Sequence, residues 1–242
     1  MNRHEISPLD KSMRCMLKFT VFALLMLPFA APMCRAQALQ KGISVELAHT
    51  HNALPMPDAD NEDSLVVTVA DNGSVYLGVD PIDPDSLAEG IRARLASEKK
   101  HLYIKADGRS RYADLVQVLQ KGQMAGAELV VLLTAQPKPA KPAAWIHPQG
   151  LEVRVGAPPA SSQAPMVVTA LNSGHRWPTL EINDARTSWV TLQDALAQSL
   201  RNLDPRVVVI KADAALPFAQ VVHLVDVCMA AGATGVWLTR EP

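Results

Sequence analysis

The chain has 242 residues, of which 48% are hydrophobic and 19% charged, and its formal net charge is −1. This is the composition of a globular protein with room for one large domain or two small ones. A near-neutral chain lacks the excess of basic residues typical of nucleic-acid binders. Aromatic residues make up only 5%, which argues against extended stacking surfaces for bases or sugars.

The N-terminus has the pattern of a targeting sequence. Four Lys and Arg residues precede an apolar run at 19–33, and Ala36-Gln37-Ala38 then fits a small-residue cleavage site. The run is shorter than the ~20 apolar residues needed to span a bilayer. We expect 1–38 to be a signal peptide, with an uncleaved inner-membrane anchor as the alternative.

The remainder of the chain contains an internal repeat of two copies. Five segments of the first copy each resemble a segment of the second, in the same order and at offsets of 101 to 108 residues. The clearest match is IKAD, which occurs at 104–107 and at 210–213. Such an internal repeat indicates a duplicated structural unit.

Each copy begins with strand patterns. ISVEL at 43–47 and LEVRV at 151–155 alternate apolar and polar residues, which favours half-buried strands. A proline-containing loop and two further strands follow, with DNG at 71–73 and NSG at 172–174 as the predicted hairpin turns.

A helix comes next in each copy. Asp83 is a candidate N-cap with Pro84 at the first helical position. Thr191 is the candidate N-cap in the second copy, with Asp194 three residues on, close to a capping box.

The IKAD strand, a second helix and a last apolar strand complete each copy. The second helices are predicted to end at Gly126 and Gly232, where glycine suits a left-handed backbone. Cys228 falls on the apolar face of the later helix, which favours a buried thiol over a reactive one.

The predicted fold class is α+β: two tandem small domains, each a mixed β-sheet with two helices on one face in the order β-β-β-α-β-α-β. The first domain is placed at 39–135 and the second, more degenerate one at 148–242. Residues 136–147 between them form a Pro/Lys/Ala linker, whose prolines favour an extended spacer.

The first copy resembles the periplasmic domain of the ExbD/TolR family of biopolymer transport proteins. LQKGISVEL, LVVTVADNGSVYLG and the stretch from YIKAD to VVLLT carry the resemblance over most of 39–135, and the second copy is similar. The resemblance implies a non-enzymatic periplasmic protein without cofactors that works beside ExbB/TolQ-like and TonB/TolA-like partners, or binds peptidoglycan. It also implies pairing of periplasmic domains, which tandem copies could achieve within one chain.

One feature of the family is missing from this sequence. The resemblance implies an aspartate in the membrane span that takes part in proton movement, but 19–33 contains no ionisable residue. Asp10 lies before the basic residues, outside the apolar run, so it is not given that role. Without that aspartate, the resemblance implies an accessory to TonB- or Tol-type transport; a soluble peptidoglycan- or protein-binding module without any link to proton flow is the alternative.

The candidate partner-contact residues are Lys105, Asp107, Lys211 and Asp213. Strand alternation places the two lysines on the sheet face away from the helices, the side expected to be free for a partner. The two aspartates fall at strand-to-helix turns, where a carboxylate accepts backbone N–H groups. A purely structural role for all four is the alternative.

No catalytic or metal-binding pattern was found in the sequence. His49 and His51 are two residues apart but lie in a proline-rich loop, and we expect them to be solvated. The acidic stretches at 58–63 and 80–85 lack the spacing of a calcium loop. The four tryptophans are expected to serve packing, with a glycan cleft as the alternative.

Overall fold

The computed structural model describes residues 42–95, 101–127, 129–135, 147–156, 158 and 164–240, all within one compact unit, Ala38–Pro242. The predicted signal peptide and most of the predicted linker lie outside these residues. Among the residues described, no helix is both long and apolar enough to cross a membrane.

The first half, 39–135, supplies the elements that precede the predicted linker. In chain order they are β1 (Leu54–Pro55), a 3₁₀ turn (Pro57–Asp60), β2 (Leu65–Val69), β3 (Val75–Leu77), β4 (Asp80–Pro81), α1 (Leu87–Leu95), β5 (Leu102–Ala106), α2 (Tyr112–Met124) and β6 (Leu129–Thr134).

The second half, 148–242, supplies the rest. In chain order its elements are β7 (Gln149–Val155), β8 (Met166–Leu171), β9 (Thr179–Ile182), β10 (Ala185–Thr187), α3 (Leu192–Leu200), β11 (Val207–Ala212), α4 (Phe218–Ala230) and β12 (Gly235–Arg240).

All these strands belong to one mixed sheet, which runs without a break through both halves. Its order is β10-β9-β8-β11-β12-β7-β6-β5-β2-β3-β4, and β1 pairs with the start of β7. The halves meet where β6 and β7 pair antiparallel, from Leu129 opposite Arg154 to Thr134 opposite Gln149. The predicted α+β class is confirmed.

One apolar core lies between the helices and one face of the sheet. Leu115 of α2 and Leu224 of α4 belong to the same cluster of buried residues as Ile104 of β5 and Ile210 of β11. Alternate strand residues such as Tyr103 point to the other face and form separate, smaller clusters. The helices therefore lie on one face of the sheet, as predicted.

Residues 54–64, here called the strap, cover the other face in the first half. Ala59 of the 3₁₀ turn is buried there against Val131 and its neighbours, with Met56 packed alongside. Gly150 of β7 makes room for this segment, because an added Cβ would lie 3.1 Å from Met56 Cγ and 2.5 Å from Val131 Cγ1.

The prediction of a strand at 43–47 is wrong. Residues 43–50 have no strand structure, because the sheet position that this segment would take is held by β7. The segment instead bonds to the turn after β5, where Gly108 N–H donates to Glu46 O at 2.7 Å. LEVRV does form a strand, as predicted.

The second hairpin also differs from the prediction. Gly174 has the expected positive φ of 70°, but the returning strand, β9, begins only at Thr179, after Pro178, whose ring nitrogen has no hydrogen to donate to a ladder. Asn183 and Asp184, with φ of 46° and 67°, then form an unpredicted turn that leads into β10.

The helix ends are mostly as predicted. Gly126 and Gly232 follow the second helices with φ of 97° and 93°. Thr191 is the N-cap of α3, but its hydroxyl meets Ser188 instead of a helix N–H. Asp83 accepts the N–H of Asp85 at 2.8 Å, and α1 begins later than expected, at Leu87.

Candidate functional site at the paired strand ends

The turns that follow the two IKAD strands are bonded to each other. Tyr112 N–H donates to Leu216 O at 2.8 Å, and Phe218 N–H donates to Ser110 O at 2.8 Å. Arg111 and Pro217 form the antiparallel bridge between them.

A second pair of hydrogen bonds flanks this bridge. Ala113 N–H donates to Ala214 O and Ala219 N–H donates to Gly108 O, both at 2.9 Å. The bonds come in equivalent pairs: adding 106 to the donor's number and subtracting 106 from the acceptor's turns one bond into the other, and 106 is the offset of the IKAD repeat. The two turns are thus related by an approximate two-fold rotation.

Asp107 is a buried carboxylate at the base of the first turn, 2% exposed. It accepts hydrogen bonds from Arg109 Nε at 2.9 Å, Arg109 Nη2 at 3.0 Å and the backbone N–H groups of Arg109 and Glu46, each at 3.0 Å. The side-chain hydrogen bonds from Arg109 do most to lower its pKa, to about 2. Asp107 is therefore charged at neutral pH and accepts N–H groups at the strand-to-helix turn, as the sequence predicts.

Asp213 holds the same position in the second half with fewer partners. It is half-buried and accepts the N–H of Ala215 at 2.8 Å, the counterpart of the Arg109 bond. Ala215 has no guanidinium to offer, so the second turn lacks the ion pair of the first.

The two lysines have different environments. Lys105 is only 4% exposed, and burial lowers its pKa while Asp60 of the strap opposes that shift. The expectation that Lys105 lies on an open face is wrong, because the strap covers it. Lys211 is half-buried on β11, with three strands between it and β5, so the structure does not bring the lysines together.

Asp226 is a contact residue that the sequence reading missed. This aspartate of α4 is 2% exposed and accepts N–H hydrogen bonds from His51 at 2.9 Å and Asn52 at 2.8 Å. Asn52 Nδ2 adds a bond of 3.2 Å. We call this contact the clamp; it ties the N-terminal segment of the first half to the second half. An aspartate on an otherwise apolar helix face was the available signal.

Three rings of the second half form a surface cluster. Trp189 stacks on His223 at 5.1 Å, and Trp177 meets Trp189 at 5.4 Å. Trp177 remains 48% exposed and Val190 beside the cluster is 90% exposed. Trp237 is buried on the non-helical face, 5.6 Å from the guanidinium of Arg154. Trp145 lies outside the described residues.

The remaining candidates behave as ordinary surface or core groups. His49 and His51 are exposed, and the residues described contain no group of three or more potential metal ligands. Cys228 is fully buried, and this burial raises the pKa of its thiol to about 12. A thiol in that state is unreactive at neutral pH.

The fold and these contacts define a class: a protein built from two similar α+β halves joined edge to edge, with turn-to-turn hydrogen bonds and the Asp226 clamp connecting the halves. The family is more specific. The family model described as biopolymer transport protein ExbD/TolR matches residues 19–137 and 142–242. The chain therefore belongs to the ExbD/TolR family. No curated protein matches this chain.

Membership places the chain in a family associated with the cell envelope and with biopolymer transport. Its members are non-enzymatic accessory proteins that work with ExbB/TolQ-type and TonB/TolA-type partners.

Proposed function

We propose that the protein is a periplasmic, non-enzymatic accessory of TonB- or Tol-type transport, and that its two halves form a pseudo-dimer within one chain. The observation that carries the proposal is the set of four turn-to-turn hydrogen bonds related by a 106-residue offset. The antiparallel pairing of β6 with β7 supports it, as do the two separate matches to the family model.

The role is accessory because the chain lacks a proton-carrying group in its apolar run. No acid, base or histidine lies within 19–33. The driving force for transport must then come from partners that do carry such groups.

The pseudo-dimer is tested by cutting the linker. A specific protease site replaces residues 138–143, and sedimentation then measures whether the fragments stay together. We expect them to remain associated at micromolar concentration. Fragments that separate, together with scattering from the intact chain that fits two independent bodies, would overturn the pairing.

A matched pair of variants tests the equivalence of the turn-to-turn bonds in the same experiment. Ala113→Pro and Ala219→Pro each remove one of the symmetric turn-to-turn bonds, at equivalent early positions of α2 and α4. Both should weaken fragment association to a similar degree, because the bonds are counterparts.

The transport role is tested by binding. We expect capture by an ExbB/TolQ-type or TonB/TolA-type protein, and weaker capture of Lys211→Ala and Asp213→Ala, whose side chains are only half-buried. Sedimentation with purified peptidoglycan in the absence of any protein capture would favour the alternative, a soluble binding module.

Export is tested by the mass of the protein recovered from the periplasm. A mass equal to that of residues 39–242 supports cleavage after Ala38, whereas a full-length protein in the membrane fraction shows an anchor.

A further inference from the structure

The central position of the sheet, here called the slot, holds only one strand although the chain carries two that fit it. β7 fills the slot, antiparallel to β6 on one side and parallel to β12 on the other. The two-fold rotation that relates the turns also exchanges β6 with β12. A strand in the slot cannot be its own image, because the rotation reverses its direction.

The register centres the slot on Val153. Val153 lies opposite Val130 of β6, and the pairing of Arg154 with Trp237 puts Val236 of β12 on its other side. Val130 and Val236 are 106 residues apart, the same offset as the paired turns. A two-fold rotation about Val153 therefore exchanges β6 and β12, so a strand running in the opposite direction would have equivalent neighbours on both sides.

Residues 42–47 are the second segment that fits. GISVEL aligns with GLEVRV at 150–155, with Val45 in the place of Val153. It also carries a glycine, Gly42, at the position equivalent to Gly150, where an added Cβ would lie 2.5 Å from Val131 Cγ1 in the present arrangement.

The displaced segment is less well buried than the one in the slot. Ile43, Val45 and Leu47 are only half-buried, whereas Leu151 and Val153 are 2% and 1% exposed. Full burial of such side chains contributes about 1.5–3 kcal/mol each. Residues 42–47 would therefore gain hydrophobic stabilisation in the slot, as residues 150–155 do.

We propose that residues 42–47 and 150–155 exchange in the slot, so that the chain has two alternative arrangements of its central strand. The inference rests on the proposed pairing of the halves. In the present arrangement Glu46 N–H is held by Asp107 at 3.0 Å and the clamp holds His51 and Asn52. In the exchanged arrangement the clamp opens, and Asp213, the counterpart of Asp107, accepts the N–H of Arg154.

Disulfide trapping in the full-length chain distinguishes the two arrangements. The variant Val130→Cys/Val153→Cys joins Cα partners of the present arrangement. The variant Val130→Cys/Val45→Cys reports the exchanged one. In the present arrangement Val45 neighbours the Asp107 contact, whereas Val130 lies opposite Leu102 at the far end of β5. Five residues of strand separate these ends by about 16 Å, well beyond the ~4–7 Å that a disulfide needs.

Both variants are made with Cys15→Ser and Cys34→Ser, and the buried Cys228 is kept. After mild oxidation at high dilution, peptide mapping should find an intramolecular bridge in each variant. Adding Asp226→Ala, which opens the clamp, should raise the yield of the Val45→Cys bridge at least twofold and lower that of the Val153→Cys bridge.

Two other outcomes have distinct meanings. A complete Val153→Cys bridge with no intramolecular Val45→Cys bridge, even with Asp226→Ala, overturns the exchange and leaves the pseudo-dimer intact. Failure of the Val153→Cys bridge itself overturns the pairing of the halves, and the exchange with it.

Discussion

At the scale of single residues, the two IKAD repeats are equal in sequence and unequal in structure. Asp107 is enclosed by Arg109 and the N-terminal segment, whereas Asp213 has only the local turn bond among the residues that the structure describes. The difference arises from one neighbour, Arg109 against Ala215, and from the position of residues 42–47. The same tetrapeptide therefore contributes differently to stability in the two halves.

Asp107→Asn should lower the free energy of unfolding by about 1–3 kcal/mol at pH 7, because hydrogen bonds to a charged group are lost. Asp213→Asn is the matched control and should cost less. Urea unfolding followed by circular dichroism measures both. Equal losses would show that the Arg109 contact adds nothing.

The pH dependence of this effect follows from the lowered pKa of Asp107, about 2. A carboxylate whose pKa is lower in the folded chain stabilises it above the ordinary carboxyl pKa, and this stabilisation is lost as pH falls from about 4 towards 2. The difference between the wild-type chain and Asp107→Asn should shrink over that range. A difference that stays constant down to pH 2 contradicts the assignment.

Asp226→Ala should release the N-terminal segment. The N–H groups of His51 and Asn52 lose their acceptor, so their hydrogen exchange should accelerate at least tenfold, which corresponds to about 1.4 kcal/mol. Gln120→Ala, at the equivalent and exposed position of α2, is the control and should leave exchange at residues 51 and 52 unchanged. Unaltered exchange in Asp226→Ala would show that other contacts hold the segment.

At the scale of elements, the sheet depends on close approach between β7 and the strap. Gly150 lets Met56 and Val131 approach the β7 backbone, and β1 pairs with the start of β7. The strap in turn buries Lys105, and the burial of its own Asp60 raises the pKa of that carboxyl through desolvation. Gly150 thus permits the close packing of the strap on the non-helical face of the first half.

Gly150→Ala should destabilise the chain by about 1–3 kcal/mol, because an added methyl group in this packed region forces neighbours apart. Gly174→Asn is the control: nothing lies within 4 Å of its Cβ position, and asparagine tolerates its φ of 70°. Thermal unfolding measures both variants. A Gly150→Ala protein as stable as the control would mean that the strap shifts without cost.

At the scale of the whole molecule, the halves share one sheet and one core, so they should not unfold separately. Leu196 of α3 is fully buried in the cluster that also contains residues of β2 and β5. A substitution that destabilises the core of one half should therefore also destabilise the other half.

Leu196→Ala should cost about 2–5 kcal/mol and should leave a single unfolding transition. Hydrogen exchange of β2 and β5 amides in the first half should accelerate along with that of the second half. Val190→Ser, at a position 90% exposed, is the control and should change neither. Two separated transitions would contradict the shared core.

Much of the fold followed from local pattern. The IKAD strands, the second helices with their terminal glycines, LEVRV and the first hairpin all have strong periodicity or turn chemistry within a few residues. Apart from the exact ends of helices and strands, the predictions were wrong where the structure depends on competition between segments far apart in the sequence. ISVEL has as good a strand pattern as LEVRV, but only one of them can fill the slot.

The candidate site divides in the same way. The turn role of Asp107 and Asp213 was predictable because a carboxylate at a strand end accepts nearby N–H groups. The burial of Lys105 was not, because the strap that covers it is a loop, and loops carry no periodicity to predict their path. Asp226 was missed because its partners, His51 and Asn52, lie about 175 residues away.

By itself the sequence determined the duplication, the family resemblance, the α+β class and the absence of an ionisable group in the apolar run, since all of these are properties of residue order and type. Only the tertiary structure decided that the copies share one sheet, that their turns bond to each other and that a single central strand serves both. Those features depend on which of two similar segments occupies the slot, and hydrogen bonding and burial across the whole molecule decide between them.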